Sequence, residues 1–280
     1  MLESNELSGL ESFAREIRKK TLYTIGKLGV GHIGGALSIV DMLALLYGRE
    51  MRCDPKEPRR EDRDIFILSK GHAGPALYAA LAIKGFFPIS WLDTLNHGGT
   101  NLPSHCDRNR TPGIDMTTGS LGQGLSAASG IALGRKMDGV KAADGKPVNV
   151  FCIIGDGESN EGQNWEAAMF AAQFKLSNLI AFTDYNKMQI DGTTEQIMDL
   201  GDIEGKWKSF GWYVQRCSGH DFNAMHEAVS NARANGGKPS MIICDTIKGK
   251  GAAFCEGKLE SHNMNFDLET AQKAIAALGD

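Results

Sequence analysis

Two short apolar runs, residues 148–154 and 179–182, enclose a stretch, residues 161–174, that carries a helical pattern. Apolar runs of this length bounded by turn formers read as buried strands, and strand, helix, strand in succession implies two parallel strands with a right-handed crossover. Further strands are expected at residues 65–68, 212–217 and 241–245, with helices at residues 72–83, 121–137, 222–234 and 267–278. Such alternation predicts an α/β fold, a parallel sheet flanked by helices on both faces.

The amino-terminal third is read from capping signals. Ser8 and Glu11 form a capping-box pattern ahead of an amphipathic helix reaching about Leu28, and Ser38 with Asp41 repeats the signal before an apolar helix ending near Tyr47. Ser90 is expected to cap a brief helix to Asn96. Residues 98–113 form a polar loop holding His105, long enough to suggest function rather than plain connection. Gly29, Gly31 and Gly34 spell G-x-G-x-x-G, but a helix and not a strand precedes them, so a dinucleotide site is rejected.

Composition bounds the function. With 280 residues, one large domain over residues 1–280 is the simplest expectation. There are 30 Lys and Arg against 34 Asp and Glu, net −4, with no long basic run; the mixed stretch 59–63 reads as a solvated loop. Nucleic-acid binding lacks its electrostatic signature. Six cysteines at positions 53, 106, 152, 217, 244 and 255 show no C-x-x-C, which argues against a zinc site and a disulfide framework. No basic and apolar leader opens the chain, and Asp41 interrupts its longest apolar stretch, so no membrane association and a cytoplasmic location are expected.

Chemistry concentrates where the first two runs end. Gly155, Asp156 and Gly157 follow one strand and Asn186 follows the next, which brings both polar residues to the edge where ligands of parallel sheets bind. One carboxylate, one amide oxygen and a main-chain carbonyl near Met188 form a hard, incomplete oxygen shell, suited to Mg2+ completed by phosphate. Gly157 allows close approach of phosphate to the backbone.

The triplet, the spacer, Asn186 and the run to Gly192 resemble the cofactor motif of the thiamine diphosphate enzymes, and the whole stretch is similar to the amino-terminal half of transketolase. Segments GHIGG with His32, LSKGH with His72, TTGSLGQG with Gly119, Ser120 and Leu121, and PSHCD with His105 carry the same resemblance, and His262 matches the family's late histidine. The resemblance implies thiamine diphosphate and Mg2+, with Ca2+ or Mn2+ as substitutes, as cofactors. It implies Asp156, Asn186 and the Met188 carbonyl as metal ligands, and His72, Gly157, Asn186 and His262 at the diphosphate. The main chain of Gly119, Ser120 and Leu121 is implied at the aminopyrimidine, with His32, His105 and His262 as catalytic proton carriers at the substrate. Glu161 reads equally as an interface carboxylate or as a helix amino-terminal charge.

The family's pyrimidine-binding domain, with its catalytic glutamate, has no counterpart in this sequence. The resemblance therefore implies one subunit of a split transketolase, active on sugar phosphates with a carboxyl-terminal partner subunit in a heterotetramer. Two alternatives stand beside it. One is a subunit of another thiamine diphosphate enzyme, a 2-oxo acid dehydrogenase or a deoxyxylulose phosphate synthase; the other is a non-catalytic magnesium-phosphate scaffold. The histidine segments favour transketolase over both.

Overall fold

In the computed structural model, which describes residues 1–279, five parallel strands form the central sheet. They are β1 (Ile65–Leu68), β2 (Val150–Gly155), β3 (Leu179–Tyr185), β4 (Tyr213–Ser218) and β5 (Ser240–Asp245), and their spatial order is β1-β2-β3-β5-β4. Every residue of β1 and β2 is buried, as expected for strands covered on both faces. Register is continuous across the middle: Gly155 lies beside Asp184, and Tyr185 beside Asp245. The carboxyl ends of β2, β3 and β5 thus stop at one level, and the loops leaving them share one rim.

Period-two alternation sends successive strand residues to opposite faces. Phe66, Leu68, Phe151, Ile153, Ile180 and Phe182 join one apolar core, while Ile65, Ile67, Val150, Cys152, Ile154 and Leu179 join another. The first core is closed by α1 (Ser4–Leu28), α2 (Ile33–Leu37), α3 (Val40–Leu45), α4 (Gly74–Lys84) and, later in the chain, a helix at Phe222–Ala234 and one at Leu268–Ala277. The second is closed by α5 (Gln123–Met137), α6 (Gly162–Gln173) and α7 (Ile203–Ser209). Small residues on α5 and α6, Ala128, Ala132, Ala167, Ala168 and Ala171, let these helices sit close to the sheet. Two layers of helix around one parallel sheet match the expected class.

The structure departs from the capping signals in three places. The first helix starts at Ser4, where the Glu6 carboxylate accepts the Glu3 amide at 3.1 Å, so Ser8 and Glu11 fall inside it. Ser38 opens no helix: it closes α2, its amide bonding the Gly34 carbonyl at 3.1 Å, while its hydroxyl donates to Asp184 at 2.6 Å, and Asp41 binds the Arg18 guanidinium at 3.1 Å and His220 at 2.7 Å. The expected helix ending near Tyr47 is α3, which runs on into a wide helical turn at Leu46–Glu50, and a short extra helix, α2, precedes it. Ser90 lies inside a 3-10 turn, Ile89–Thr94, that Pro88 begins. At Ser38 and Asp41 tertiary partners take the side chains that local pattern assigns to a cap.

The glycine-rich turn behaves as the rejection of a dinucleotide site requires. Gly29 ends α1 with φ of 92°, and its amide bonds the Ile25 carbonyl at 2.9 Å. This is a helix stop, where an L side chain would be strained. Among the described residues no helix is long and apolar enough to cross a membrane. All six cysteines are free thiols, and Cys152 and Cys244 are buried in the cores.

Candidate functional site

At the rim, a cavity of about 160 Å3 opens between the ends of β2 and β3. Asp156, Gly157, Asn186 and Met188 line it, together with His72, His262 and Leu121. The strand ends deliver the first three, because β2 and β3 run in register and the chain turns immediately after each. Asp156 opens a 3-10 turn at Gly157–Asn160; its Oδ1 accepts the Gly157 amide at 2.8 Å and its Oδ2 accepts the Lys187 amide. Asn186 is oriented at both ends of its amide: Oδ1 accepts the Met188 amide at 3.1 Å and Nδ2 donates to Asp184 at 3.1 Å.

Four histidines gather above this floor. The His32 ring centroid lies 5.2 Å from that of His72, 6.1 Å from that of His105 and 5.4 Å from that of His262. His72 and His262 are 5.4 Å apart. Each comes from a different loop: the turn after α1, the 3-10 turn Gly71–Ala73, the long polar loop and the 3-10 turn Leu259–His262. A second cavity, about 170 Å3, adjoins the first through His72 and is lined by His32, Asn96, Ser104 and Asn263. The His105 ring stands against Gly119, where a Cβ would sit 3.0 Å from its Cδ2. Leu121 reaches the cavity wall, whereas Gly119 lies against the His105 ring and does not line the cavity, nor does Ser120.

His97, His220 and His226 stay outside this group. His220 binds Asp41 and the Ile247 amide, and His226 binds Glu50 at 2.6 Å, which are structural contacts. Trp165 packs on Trp207 at 4.7 Å in the core, while Phe170 and Phe174 lie at the surface against each other. Glu161 lines the cavity at the start of α6 but accepts no capping bond there.

Sequence reasoning missed the charged residues beneath the floor. Lys70 Nζ meets Asp184 Oδ2 at 2.6 Å in full burial and donates to the Gly35 carbonyl at 2.8 Å. Asp184 also accepts the hydroxyls of Ser38 and Thr246 and the Asn186 amide. Burial opposes its ionisation, but Lys70 and these donors hold its carboxyl below the usual range. Glu158, also buried, accepts the Gly122 and Gly155 amides at 2.9 Å and the Ser69 hydroxyl, so it ties the Asp156 turn to the loop before α5. Lys248 approaches His262 at 3.4 Å. Burial and Lys70 push its ammonium down to about 8. Lys70 stands two residues before His72 and could have been suspected; Asp184 and Glu158 were hidden because a carboxylate beside a strand end reads as a turn former.

The electrostatics select what the cavity can hold. Burial and neighbouring Asp184 push Asp156 up to about 7, the mark of a carboxylate short of positive charge. Among the described residues no group of three or more His, Cys, Asp or Glu side chains is arranged as a metal site, so any cation would take part of its shell from elsewhere. Asp156, the Asn186 amide oxygen and the Met188 carbonyl fit a hard divalent cation that draws its remaining ligands from phosphate. Gly157 is held to glycine by packing within the chain: a Cβ there would lie 2.7 Å from Gln189 Cβ. Lys70 and Lys248 add positive charge. Desolvation lowers all four histidines, His262 to about 4, and the lysines and neighbouring imidazoles reinforce the shift in His32, His72 and His262. Neutral imidazoles at pH 7 can accept a proton from a substrate hydroxyl and return it.

Residues 11–279 match the family described as transketolase, thiamine diphosphate binding domain. The chain is 58% identical over 275 residues to the 6-deoxy-6-sulfo-D-fructose transketolase subunit SqwG of Clostridium sp. (strain MSTE9), covering 98% of both. It is 40% identical over 272 residues to an apulose-4-phosphate transketolase subunit of Actinobacillus succinogenes, covering 97% of this chain and 96% of that one. Against the solved transketolase of Campylobacter jejuni the TM-score is 0.88 at 28% identity, covering 99% of this chain and 43% of that one. The chain therefore spans less than half the length of that solved transketolase. Sequence over nearly its full length and the shared backbone agree that this chain belongs to the transketolase thiamine diphosphate-binding domain family.

Proposed function

We propose that this chain is the thiamine diphosphate-binding subunit of a two-subunit transketolase, which moves a two-carbon ketol unit from a ketose donor to an aldose acceptor. The observation that carries this reading is the meeting of Asp156, Gly157 and Asn186 with His72 and His262 around one cavity, with His32 and His105 beside them. Asp156, Asn186 and the Met188 carbonyl would hold Mg2+. His72, Gly157, Asn186 and His262 would hold the diphosphate, and the main chain of Gly119, Ser120 and Leu121 the aminopyrimidine. When bound, the coenzyme supplies the electron sink for carbon–carbon cleavage. The chain's own share is orientation and proton transfer. His32, His105 and His262 take or give protons at the hydroxyl and carbonyl oxygens of the donor, and their depressed basicity keeps them neutral at the start.

A partner subunit completes the site by contributing the family's glutamate, with two copies of each chain in the assembly. The relative at 58% identity is named for 6-deoxy-6-sulfo-D-fructose, which makes a sulfonated ketose the favoured donor class. Apulose 4-phosphate, from the name of the 40% relative, stands second. A non-catalytic phosphate-binding scaffold is disfavoured by four clustered histidines, all of lowered basicity, beside the cavity.

The test is to copurify the chain with the product of the adjacent reading frame and assay both donors, and ordinary pentulose and hexulose phosphates, against aldose acceptors with thiamine diphosphate and Mg2+. Turnover of the sulfonated donor is expected; turnover of none would remove the transketolase reading. Asp156→Ala is expected to abolish activity at limiting Mg2+, and full activity in that variant would remove the metal assignment.

A further inference from the structure

We propose that Arg18, Asp41 and His220 form a positioning network that fixes the turn at residues 247–250 and thereby holds the Lys248 side chain toward an anionic ligand in the cavity. This rests on the cofactor reading above and adds to it three residues that lie outside the site. None of them lines the cavity. Each comes from a different part of the fold: Arg18 from α1, Asp41 from α3 and His220 from the loop after β4. The turn they meet follows β5, one of the strands whose ends form the rim.

The network grips both ends of the turn. Arg18 Nη2 donates to both Asp41 oxygens at 3.1 Å, Asp41 Oδ2 meets His220 Nδ1 at 2.7 Å, and His220 Nε2 accepts the Ile247 amide at 2.9 Å. Arg18 Nε donates to the Lys250 carbonyl at 2.9 Å, which closes the circuit around Lys248. In the middle, the Gly249 amide bonds the Gly34 carbonyl at 3.0 Å. An imidazole nitrogen that accepts an amide carries no proton, so the His220 proton sits on Nδ1 and is donated to Asp41. The three side chains are only 10–15% exposed, which shelters these bonds from the water that weakens surface pairs. Two glycines admit the close approach: a Cβ on Gly251 would lie 2.5 Å from Arg18 Cδ, and one on Gly219 would lie 2.5 Å from Thr246 Cγ2.

Lys248 needs such a hold because its surroundings disfavour its charge. It lines the cavity together with Lys70, and burial with that like charge pushes its ammonium down to about 8, an effect that Asp156 and Asp184 offset only in part. His262 Nδ1, 3.4 Å from its Nζ, brings no opposite charge. A flexible four-carbon stem would carry the ammonium to water if the backbone beneath it were free. With residues 247 and 250 fixed, the ammonium stays on the wall until an anionic oxygen of the ligand reaches it.

His220→Asn keeps a donor for Asp41 and removes the acceptor for Ile247, whereas His220→Gln offers a carboxamide oxygen in place of Nε2. Arg18→Lys keeps a charge for Asp41 and removes the bond to Lys250. Each variant is copurified with the product of the adjacent reading frame, and thiamine diphosphate is titrated calorimetrically into the coenzyme-free assembly with Mg2+. Lys248→Met should raise Kd about 10- to 100-fold, the range for a hydrogen bond to a charged group. His220→Asn and Arg18→Lys should each raise it about 3- to 10-fold, as for one neutral hydrogen bond, and His220→Gln less. In a Lys248→Met background neither His220→Asn nor Arg18→Lys should change Kd by more than about twofold, because their effect passes through Lys248. The same factor in both backgrounds marks a merely structural role and overturns the proposal; if one variant does not assemble, the other decides. An unchanged Kd in His220→Asn and Arg18→Lys, or in Lys248→Met, also overturns it, while loss of binding in Asp156→Ala would keep the cofactor reading intact. Absence of binding by the wild-type assembly would remove both.

Discussion

The Lys70–Asp184 pair illustrates how one residue can decide the geometry of others. Both side chains are buried, and Asp184 in turn fixes the Asn186 amide, so the polarity of the cavity floor follows from an ion pair beneath it. Removing one member of a buried pair leaves the other charge uncompensated, a loss of about 3–5 kcal/mol. Lys70→Met is accordingly expected to lose about that much stability in urea unfolding, and Lys70→Met with Asp184→Leu to lose less than the sum of the single changes. Additive losses would show that the two residues do not act as a pair. Asp156 and Asn186 were legible in the sequence as candidate ligands because their spacing matches strand, helix, strand. Their supports, Asp184 and Glu158, were not, since their partners lie far away along the chain.

Among elements, the turns that carry the site are set by packing as much as by backbone preference. Gly29 and Gly124 make the contrast. A Cβ on Gly29 meets nothing, so Gly29→Ala is expected to cost only the backbone strain of φ 92°, about 1–2 kcal/mol. Gly124, inside α5, has no positive φ, yet a Cβ there would lie 2.3 Å from Ser69 Oγ and 2.6 Å from Ser69 Cα. Gly124→Ala must push α5 from the loop that carries Lys70 and His72, with a loss of about 3 kcal/mol or more. Chemical unfolding of both variants checks the order, and a larger loss in Gly29→Ala would contradict it. Strands and most helices were legible in the sequence to within a few residues, because fully apolar runs leave little choice. The capping signal at Ser38 failed because a side chain that can cap can also bond at a distance, as Ser38 does with Asp184, while α1 begins at Ser4, ahead of Ser8, and Pro88 begins the turn that holds Ser90.

For the whole molecule, the fold collects ionisable groups whose burial makes stability depend on pH. His262 titrates at about 4 in the folded chain and near 6.5 when unfolded, so its contribution is complete above pH 6.5 and is lost as pH falls toward 4. His32, His72 and His105 shift in the same direction. Asp156 opposes them: with a folded value of about 7 against 3.8 unfolded, its contribution is present below pH 3.8 and is lost as pH rises to 7. In the cofactor-free protein, His262→Gln should flatten the fall of Tm between pH 6.5 and 4, and Asp156→Asn should steepen it. Slopes unchanged in both variants would show that these groups are not coupled to folding. The amino-acid sequence by itself determined the parallel sheet, the two helical layers and the residues at the strand ends, because apolar periodicity and turn chemistry act over a few neighbouring positions. Only the tertiary structure decided that four histidines from four loops gather in one cluster, that Lys70 neutralises Asp184, and that Gln189 lies on Gly157. Those contacts join residues far apart along the chain, and their energies come from burial, which no local pattern records.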